Sequence, residues 1–161
     1  MYFIIYMNTS SLFFGRRRTN MNKIDLNKRT IRFYSEKEKQ ILTVFNEPAY
    51  IYAMNLETDD MISNYKIAVE LNKSQFIHID TVGLRNEMFN QNWYSDFLIQ
   101  YNDGSLAVRE LLDKNKINYL KELRKLEFSR RYWKQQNIND WKIVLYDVEN
   151  IDMSEVLNNV L

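Results

Sequence analysis

Apolar residues along the chain follow two different spacings. Between residues 49 and 100 they form short runs rich in β-branched and aromatic residues, separated by polar turns, which favours β-strands. The four runs are AYIYAM, YKIAVEL, QFIHI and DFLIQY. From Ile117 to Gln136 apolar residues recur every three or four positions, which predicts a long helix. Its predicted core-facing residues are Leu120, Leu123, Leu126 and Trp133.

The segment SEKEKQILTVFNEP predicts a short helix that begins with Ser35 as its N-cap and ends before Pro48. Glu38 stands three residues after the cap, in the spacing of a capping box. It also falls on the face of the predicted helix that carries the apolar residues. Glu38 therefore has two interpretations, as a partner of the cap or as a functional carboxylate, because a charge on a core-facing position is costly.

The sequence YNDGS predicts a tight hairpin turn with Gly104 at the position that needs a positive φ. The register of that hairpin places Asp96 directly opposite Glu110, with β-carbons about 5 Å apart. A strand WKIVLY follows the long helix, and a last helix is expected near Asp152. This order of elements predicts one α/β domain with a mixed β-sheet flanked by helices. We expect it to span residues 31–161, after a basic arm over residues 1–30.

The composition limits the chemistry. The chain has no cysteine and one histidine, His78, which excludes thiolate catalysis, cysteine zinc sites and multi-histidine metal centres. His78 is expected to be a half-buried strand residue, with a role as general base as the alternative. The apolar run MYFIIYM is too short to cross a bilayer, so a cytoplasmic protein without membrane contact is expected.

Asp96 and Glu110 would repel each other when both are ionised, so the pair requires a proton or a cation between them. Mg²⁺, or Mn²⁺ in its place, would neutralise the pair and carry a water that can attack a phosphodiester. The alternative is that Asp96 is an ordinary strand-edge residue and that Glu110 is an exposed partner of Arg109 or of a lysine across the sheet.

Basic residues predominate in residues 1–40 and 113–134, on both sides of an acidic centre. Such a distribution is typical of a surface that follows the phosphates of DNA around a carboxylate site, although solvated faces would give the same pattern. The candidate phosphate-binding residues are Arg16, Arg17, Arg18, Lys114, Lys116, Lys121, Arg124, Arg131 and Lys134.

Three segments resemble the TnsA family of transposon-encoded endonucleases, which belong to the PD-(D/E)xK class. They are YSEKEKQILTVF, SDFLIQYNDG and LRKLEFSRRYWKQQNINDWKIVL. The resemblance implies a restriction-endonuclease-like fold and a DNA endonuclease that nicks the non-transferred strand at transposon ends. It also implies magnesium held by Glu38, Asp96 and Glu110. The implied partners are DNA, a DDE-type transposase subunit and an ATPase activator.

The family keeps a lysine two residues after the third metal-binding position, where this chain has Leu112. Lys114, Lys116 or Lys125 could replace it, and Lys125 is the first candidate because it lies in the best-matched segment. Without a replacement, the chain would be a catalytically degenerate subunit that binds DNA or assists assembly. A third interpretation is an unrelated small α/β protein, which would place Glu38 far from Asp96.

Overall fold

In the part of the chain that the structure describes, a mixed β-sheet of five strands forms the centre of the fold. The computed structural model describes residues 4–6 and 30–147. The strands, in their order across the sheet, are β1 (Ile4–Tyr6), β7 (Asp140–Tyr146), β6 (Leu106–Asp113), β5 (Tyr94–Tyr101) and β4 (Ile62–Glu70). β4, β5 and β6 are antiparallel neighbours, whereas β7 runs parallel to β6 and β1 runs parallel to β7. The predicted α/β fold class with a mixed sheet is confirmed.

Among the described residues, two α-helices pack on the sheet, α1 (Glu47–Thr58) and α2 (Leu120–Gln135). Residues of α1 share a core with Ala107 of β6, and residues of α2 share a second core with Val108 of the same strand. Because neighbouring strand residues point to opposite faces, the two helices cover the two faces of the sheet. The chain order is helix, three antiparallel strands, helix and parallel strand, which is compatible with a restriction-endonuclease-like fold.

The predicted helix between Ser35 and Pro48 is wrong. The segment instead contains the end of β2 (Ile31–Ser35), the hairpin turn and β3 (Gln40–Val44). Helix α1 begins just after β3, at Glu47. Asn46 caps α1, since its Oδ1 accepts a hydrogen bond from the amide of Ala49 at 2.8 Å. Pro48 lies in the first turn of α1, where a missing N–H costs nothing, so it starts a helix rather than ending one.

Two of the four predicted strands are also wrong. AYIYAM lies within α1. QFIHI forms the end of a 3₁₀ helix over Lys73–His78, whose N-cap is Asn72 and whose C-cap is Ile79. A second 3₁₀ helix spans Asn86–Asn90, and a third spans Lys114–Lys116. His78 is exposed rather than half-buried in a strand. YKIAVEL and DFLIQY are confirmed as strands, in β4 and β5.

The hairpin of β5 and β6 has the predicted register, with Phe97 opposite Arg109 and Gly104 in its turn at φ 84°. The long helix and the strand after it are confirmed as α2 and β7. Leu126 and Trp133 are buried as predicted, whereas Leu120 and Leu123 are 65% and 39% exposed.

Some predictions fall on parts of the chain outside the described residues. These are most of the basic arm, including Arg16 to Arg18, and the helix expected near Asp152. Strand β1 belongs to the predicted arm and lies at the edge of the sheet. Over the described ranges, the structure contains no helix that is both long enough and apolar enough to span a membrane.

Candidate active site at the β5–β6 hairpin

Asp96 and Glu110 lie together where the regular pairing of β5 with β6 ends. Glu110 Oε2 accepts a hydrogen bond from the amide of Asp96 at 3.2 Å, and Asp96 Oδ2 accepts one from the amide of Leu111 at 2.7 Å. Each carboxylate therefore accepts a hydrogen bond from a backbone N–H of the opposite strand. The two side chains hold the strands together at this point and keep their own acid groups side by side.

The strand on the other side of Asp96 is distorted at the same level. In β4, Ile67 pairs with Phe97 and Val69 pairs with Ser95, so Ala68 lies at the level of Asp96 between these two pairs. Ala68 has a φ of 50°. L-residues without a polar side chain rarely adopt this left-handed conformation, because Cβ then crowds the backbone. Backbone strain of this kind is concentrated at functional sites, so the distortion opposite Asp96 is a second, independent feature of the candidate site.

Glu110 is buried, with 1% of its surface exposed, and it ends a chain of hydrogen bonds. The hydroxyl of Ser129 on α2 donates to Glu110 Oε1. Ser129 also lies 3.2 Å from the hydroxyl of Ser95. Trp141 Nε1 donates to Ser129 at 3.0 Å, and Trp133 Nε1 donates to Ser95 at 2.7 Å.

Burial dominates the acidity of both carboxyl groups. It raises the pKa of Asp96, although Lys125, the Leu111 amide and a hydrogen bond with Glu110 favour the ionised form. Burial first and the charge of Asp96 second raise the pKa of Glu110 to about 7, against opposing contributions from Ser129, Ser95 and Lys125. The pair therefore holds a proton near neutral pH, and a bound cation would displace it.

Lys125 on α2 is the basic residue whose charge acts on both carboxyl groups of this pair. Its positive charge favours the ionised forms of both Asp96 and Glu110. It lies one helical turn before Ser129, on the same face of α2. Leu112, at the position of the family's lysine, is 4% exposed and packs in the core beneath α2. Lys114 forms an ion pair with Asp147 instead.

Tyr146 on β7 has three acidic groups around its phenol. Burial first, and then the charges of Asp113, Asp96 and Glu122, raise its pKa to about 12. The phenol stays protonated at neutral pH, so it can donate a hydrogen bond at the edge of the site. Glu122 lies on α2 near Lys125, which adds a carboxylate to the surroundings of the pair.

Glu38 does not lie on a helix, and the structure gives it a different role from the predicted one. It is in the turn between β2 and β3, where its amide donates to Ser35 Oγ at 3.0 Å. Its Oε1 accepts a hydrogen bond from the amide of Tyr65 in β4 at 2.8 Å. Glu38 therefore joins the hairpin to the edge of the sheet. Among residues 4–6 and 30–147, no group of three or more His, Cys, Asp or Glu side chains is arranged to hold a metal ion, so Glu38 does not complete a cluster with Asp96 and Glu110.

Arg109 is not the partner of Glu110. Its buried guanidinium donates to Asp140 Oδ2 at 2.8 Å and to the hydroxyl of Tyr101 at 3.1 Å. Consecutive residues of β6 point to opposite faces, so Arg109 and Glu110 serve different sides of the sheet. The interpretation of Glu110 as an exposed ion-pair partner is therefore wrong.

The candidate phosphate-binding residues of α2 differ in what they contact. Arg131 donates to Glu127 at 2.7 Å and to the carbonyls of Asp80 and Val82 at 2.5 and 2.8 Å, so it fastens the loop before β5 to the helix. Lys121 and Lys134 are exposed. Nine positions separate Lys125 from Lys134, which puts them on opposite sides of the helix, whereas Lys121 lies one turn before Lys125. The remaining candidates within the described chain, Lys116 and Arg124, are half-buried.

The sequence interpretation missed Ser95, Ser129 and Tyr146. A signal for Ser129 was present, because the serine stands between Leu126 and Trp133 on the apolar side of α2. A hydroxyl at a core-facing position requires a hydrogen-bond partner. The identity of that partner depends on the packing of α2 over β6, which local spacing does not specify.

No protein-family model matches the chain, and no curated protein matches it.

Proposed function

We propose that the chain is a magnesium-dependent DNA endonuclease that resembles the nuclease subunit of a heteromeric transposase, the TnsA type. The observation that carries this proposal is the proximity of two carboxyl groups, the buried one of Glu110 and the partly buried one of Asp96, beside the positive charge of Lys125. Folding two acids into such proximity is costly, and a cation removes the cost. Hydrolysis of a phosphodiester is one reaction that a carboxylate-bound cation catalyses, and a neighbouring lysine would stabilise the charge on the phosphate.

The donor set fits magnesium. Mg²⁺ prefers oxygen ligands, and one or two carboxylates are enough because the ion keeps several waters and binds the phosphate of its substrate. Asp96 and Glu110 would hold the ion, which would supply an activated water and polarise the phosphate. Glu38 is left out of this ligand set because its carboxylate binds Tyr65.

Lys125 would take the role of the lysine that Leu112 replaces. Its ammonium group would stabilise the negative charge that develops on the phosphate during attack, which is the largest single contribution at many such sites. The first half of α2 would bind the neighbouring phosphates through Lys121 and Arg124. A DDE-type transposase subunit and an ATPase activator are the partners that the proposal includes.

The first experiment measures nicking of supercoiled DNA in Mg²⁺ and in Mn²⁺. Asp96→Asn should abolish nicking, because it removes a metal ligand while keeping the size of the side chain. The matched control is Asp60→Asn, whose side chain is exposed in the turn before β4 and which should nick as fast as the wild type. Equal rates for the wild type and Asp96→Asn, or no nicking by the wild type, would overturn the proposal.

The second experiment compares Lys125→Ala with Lys121→Ala, two lysines one turn apart on α2. Lys125→Ala should lower the single-turnover rate by roughly 100- to 1000-fold, the usual loss when one preorganised charge-stabilising group is removed. Lys121→Ala should weaken DNA binding and leave the rate at saturating DNA within a few-fold of the wild type. If the single-turnover rate falls by the same factor in both variants, Lys125 is not the replacement lysine.

A second candidate function is a non-catalytic subunit with the same fold that binds DNA or assists assembly. The burial of Leu112 in the core favours it, since no cation can occupy the family's lysine position there. Calorimetric titration with Mn²⁺ separates the two functions. The endonuclease should bind Mn²⁺ at a site that Glu110→Ala abolishes, whereas the non-catalytic subunit should bind DNA without any such site.

A further inference from the structure

The hydrogen bonds behind Glu110 form a chain with one direction. An indole N–H can only donate, so Trp141 uses one acceptor position of Ser129, and Trp133 uses one of Ser95. When Glu110 is ionised, which is the form that binds a cation, its carboxylate can only accept, so the single proton of Ser129 is committed to Glu110. The contact of 3.2 Å between the two serines is then satisfied when Ser95 donates to Ser129. All four donors therefore point toward Glu110.

This arrangement is more than is needed to fill the space beneath α2. Ser95 and Ser129 are buried, with 0% and 5% of their surfaces exposed, and apolar side chains of similar size would pack there without needing partners. The two serines and two tryptophans come from β5, α2 and β7, and they converge on one carboxylate oxygen. Their combined effect is to fix the rotamer of Glu110 and to favour its charged form, which is the form that binds a cation.

We propose that Ser129 is a positioning residue for cation binding at Glu110, with Trp141 and Ser95 holding its hydroxyl in the donating direction. The proposal rests on the proposed function, since it assigns Glu110 as a metal ligand. Ser129 holds Oε1, and Oε2 stays on the side that faces Asp96. Groups that orient a metal ligand in this way are worth about 10- to 100-fold in metal affinity.

The experiment compares two isosteric variants, Ser129→Thr and Ser129→Val, by calorimetric titration with Mn²⁺ in the absence of DNA. Both add the same bulk to a buried site, and they differ in the hydroxyl alone. Ser129→Thr should bind Mn²⁺ within about 3-fold of the wild type, and Ser129→Val should bind it at least 10-fold more weakly. Trp141→Phe, which removes the donor to Ser129 but keeps an aromatic ring, should fall between them.

Equal Mn²⁺ affinity for Ser129→Thr and Ser129→Val would overturn the positioning role while leaving the metal site in place. Absence of Mn²⁺ binding by the wild type would overturn the proposed function, and the positioning role with it. Thermal unfolding of each variant, followed by tryptophan fluorescence, distinguishes a weakened site from a misfolded chain. If Ser129→Val does not fold, Trp141→Phe decides the question, because unchanged affinity in that variant would also count against the proposal.

Discussion

The carboxyl group of Glu110 changes its charge within the ordinary working range of pH, because burial and the charge of Asp96 raise its pKa from 4.5 to about 7. The folded chain then holds this proton more tightly than the unfolded chain does. The stabilisation is complete below pH 4.5 and is lost as the pH rises through about 7. For the metal-free protein the loss should be on the order of 3 kcal/mol in the free energy of unfolding.

Urea unfolding between pH 4.5 and 8 measures this loss, with Glu110→Gln as the test variant. The variant should lose much less stability over that range, because its amide has no proton to release. Glu36→Gln is the control. Glu36 is exposed and forms a surface ion pair with Lys39, so this variant should follow the wild type. Mn²⁺ should reduce the loss in the wild type at neutral pH. A Glu110→Gln curve parallel to that of the wild type would contradict the assignment.

Ala68 gives a second prediction for a single residue. Its φ of 50° is strained for alanine and unstrained for glycine, a difference of about 1–2 kcal/mol that the greater chain entropy of glycine partly cancels. Ala68→Gly should therefore raise the free energy of unfolding by about 0.5–1 kcal/mol. Ala107→Gly is the control, since Ala107 is a buried strand residue whose φ is not positive, and it should lower stability. Destabilisation by both changes would show that Ala68 is not strained.

The hairpin of β2 and β3 depends on a residue from another element, Glu57 near the end of α1. Its Oε1 accepts from the hydroxyls of Ser35 and Tyr65, both at 2.5 Å, and its Oε2 accepts from the amides of Glu36 at 2.9 Å and Lys37 at 3.3 Å. Partial burial opposes the ionisation of Glu57, but these hydrogen bonds outweigh it and lower the pKa. One carboxylate thus connects the hairpin turn, α1 and β4.

Glu57→Gln should destabilise the protein by about 1–3 kcal/mol, because an amide cannot accept from all four donors. The loss should appear first as faster hydrogen exchange of the amides in residues 31–44. Asn55→Asp is the control in the same helix, since Asn55 is exposed and the change leaves the hairpin contacts in place. Unchanged exchange in the hairpin of Glu57→Gln would mean that the strands are held by their apolar faces alone.

The same region shows what local patterns can and cannot predict about elements. The bond from the Glu38 amide to Ser35 Oγ is the one expected for a capping box, yet it closes a hairpin turn here. A serine followed three residues later by glutamate is compatible with both structures. Glu57 decides between them from 22 positions away. By contrast, the turn at Gly104 carries its own geometry, so the register of β5 and β6 was predictable from the sequence.

At the scale of the whole molecule, the candidate site contains some residues placed by a local turn and others placed by long-range packing. Asp96 and Glu110 share one hairpin, and their proximity followed from its register. Lys125 and Ser129 reach the pair because α2 packs over β6. The family resemblance made Lys125 a candidate, but the sequence alone could not show that it lies near the pair. Glu38 was nominated on a helix that does not exist. Long-range packing, rather than local pattern, decides which of the nominated groups meet.

The charge on α2 gives a prediction for the molecule as a DNA-binding surface. If phosphates pass over the Asp96–Glu110 pair, they meet the side of α2 that carries Lys125, and Lys121 and Arg124 lie in the turn before it.

Each neutralised phosphate lowers the slope of log K against log salt concentration by about 0.9 for duplex DNA. The double variant Lys121→Ala with Arg124→Ala should therefore bind DNA more weakly at low salt and reduce the magnitude of that slope by about 2. Lys134→Ala is the control, because Lys134 is exposed like Lys121 but lies on the far side of the same helix. Titrations of a fluorescent duplex at several salt concentrations give both slopes. A larger effect from Lys134→Ala would place the DNA on the opposite side of α2, away from the carboxylate pair, and would separate DNA binding from the chemistry proposed there.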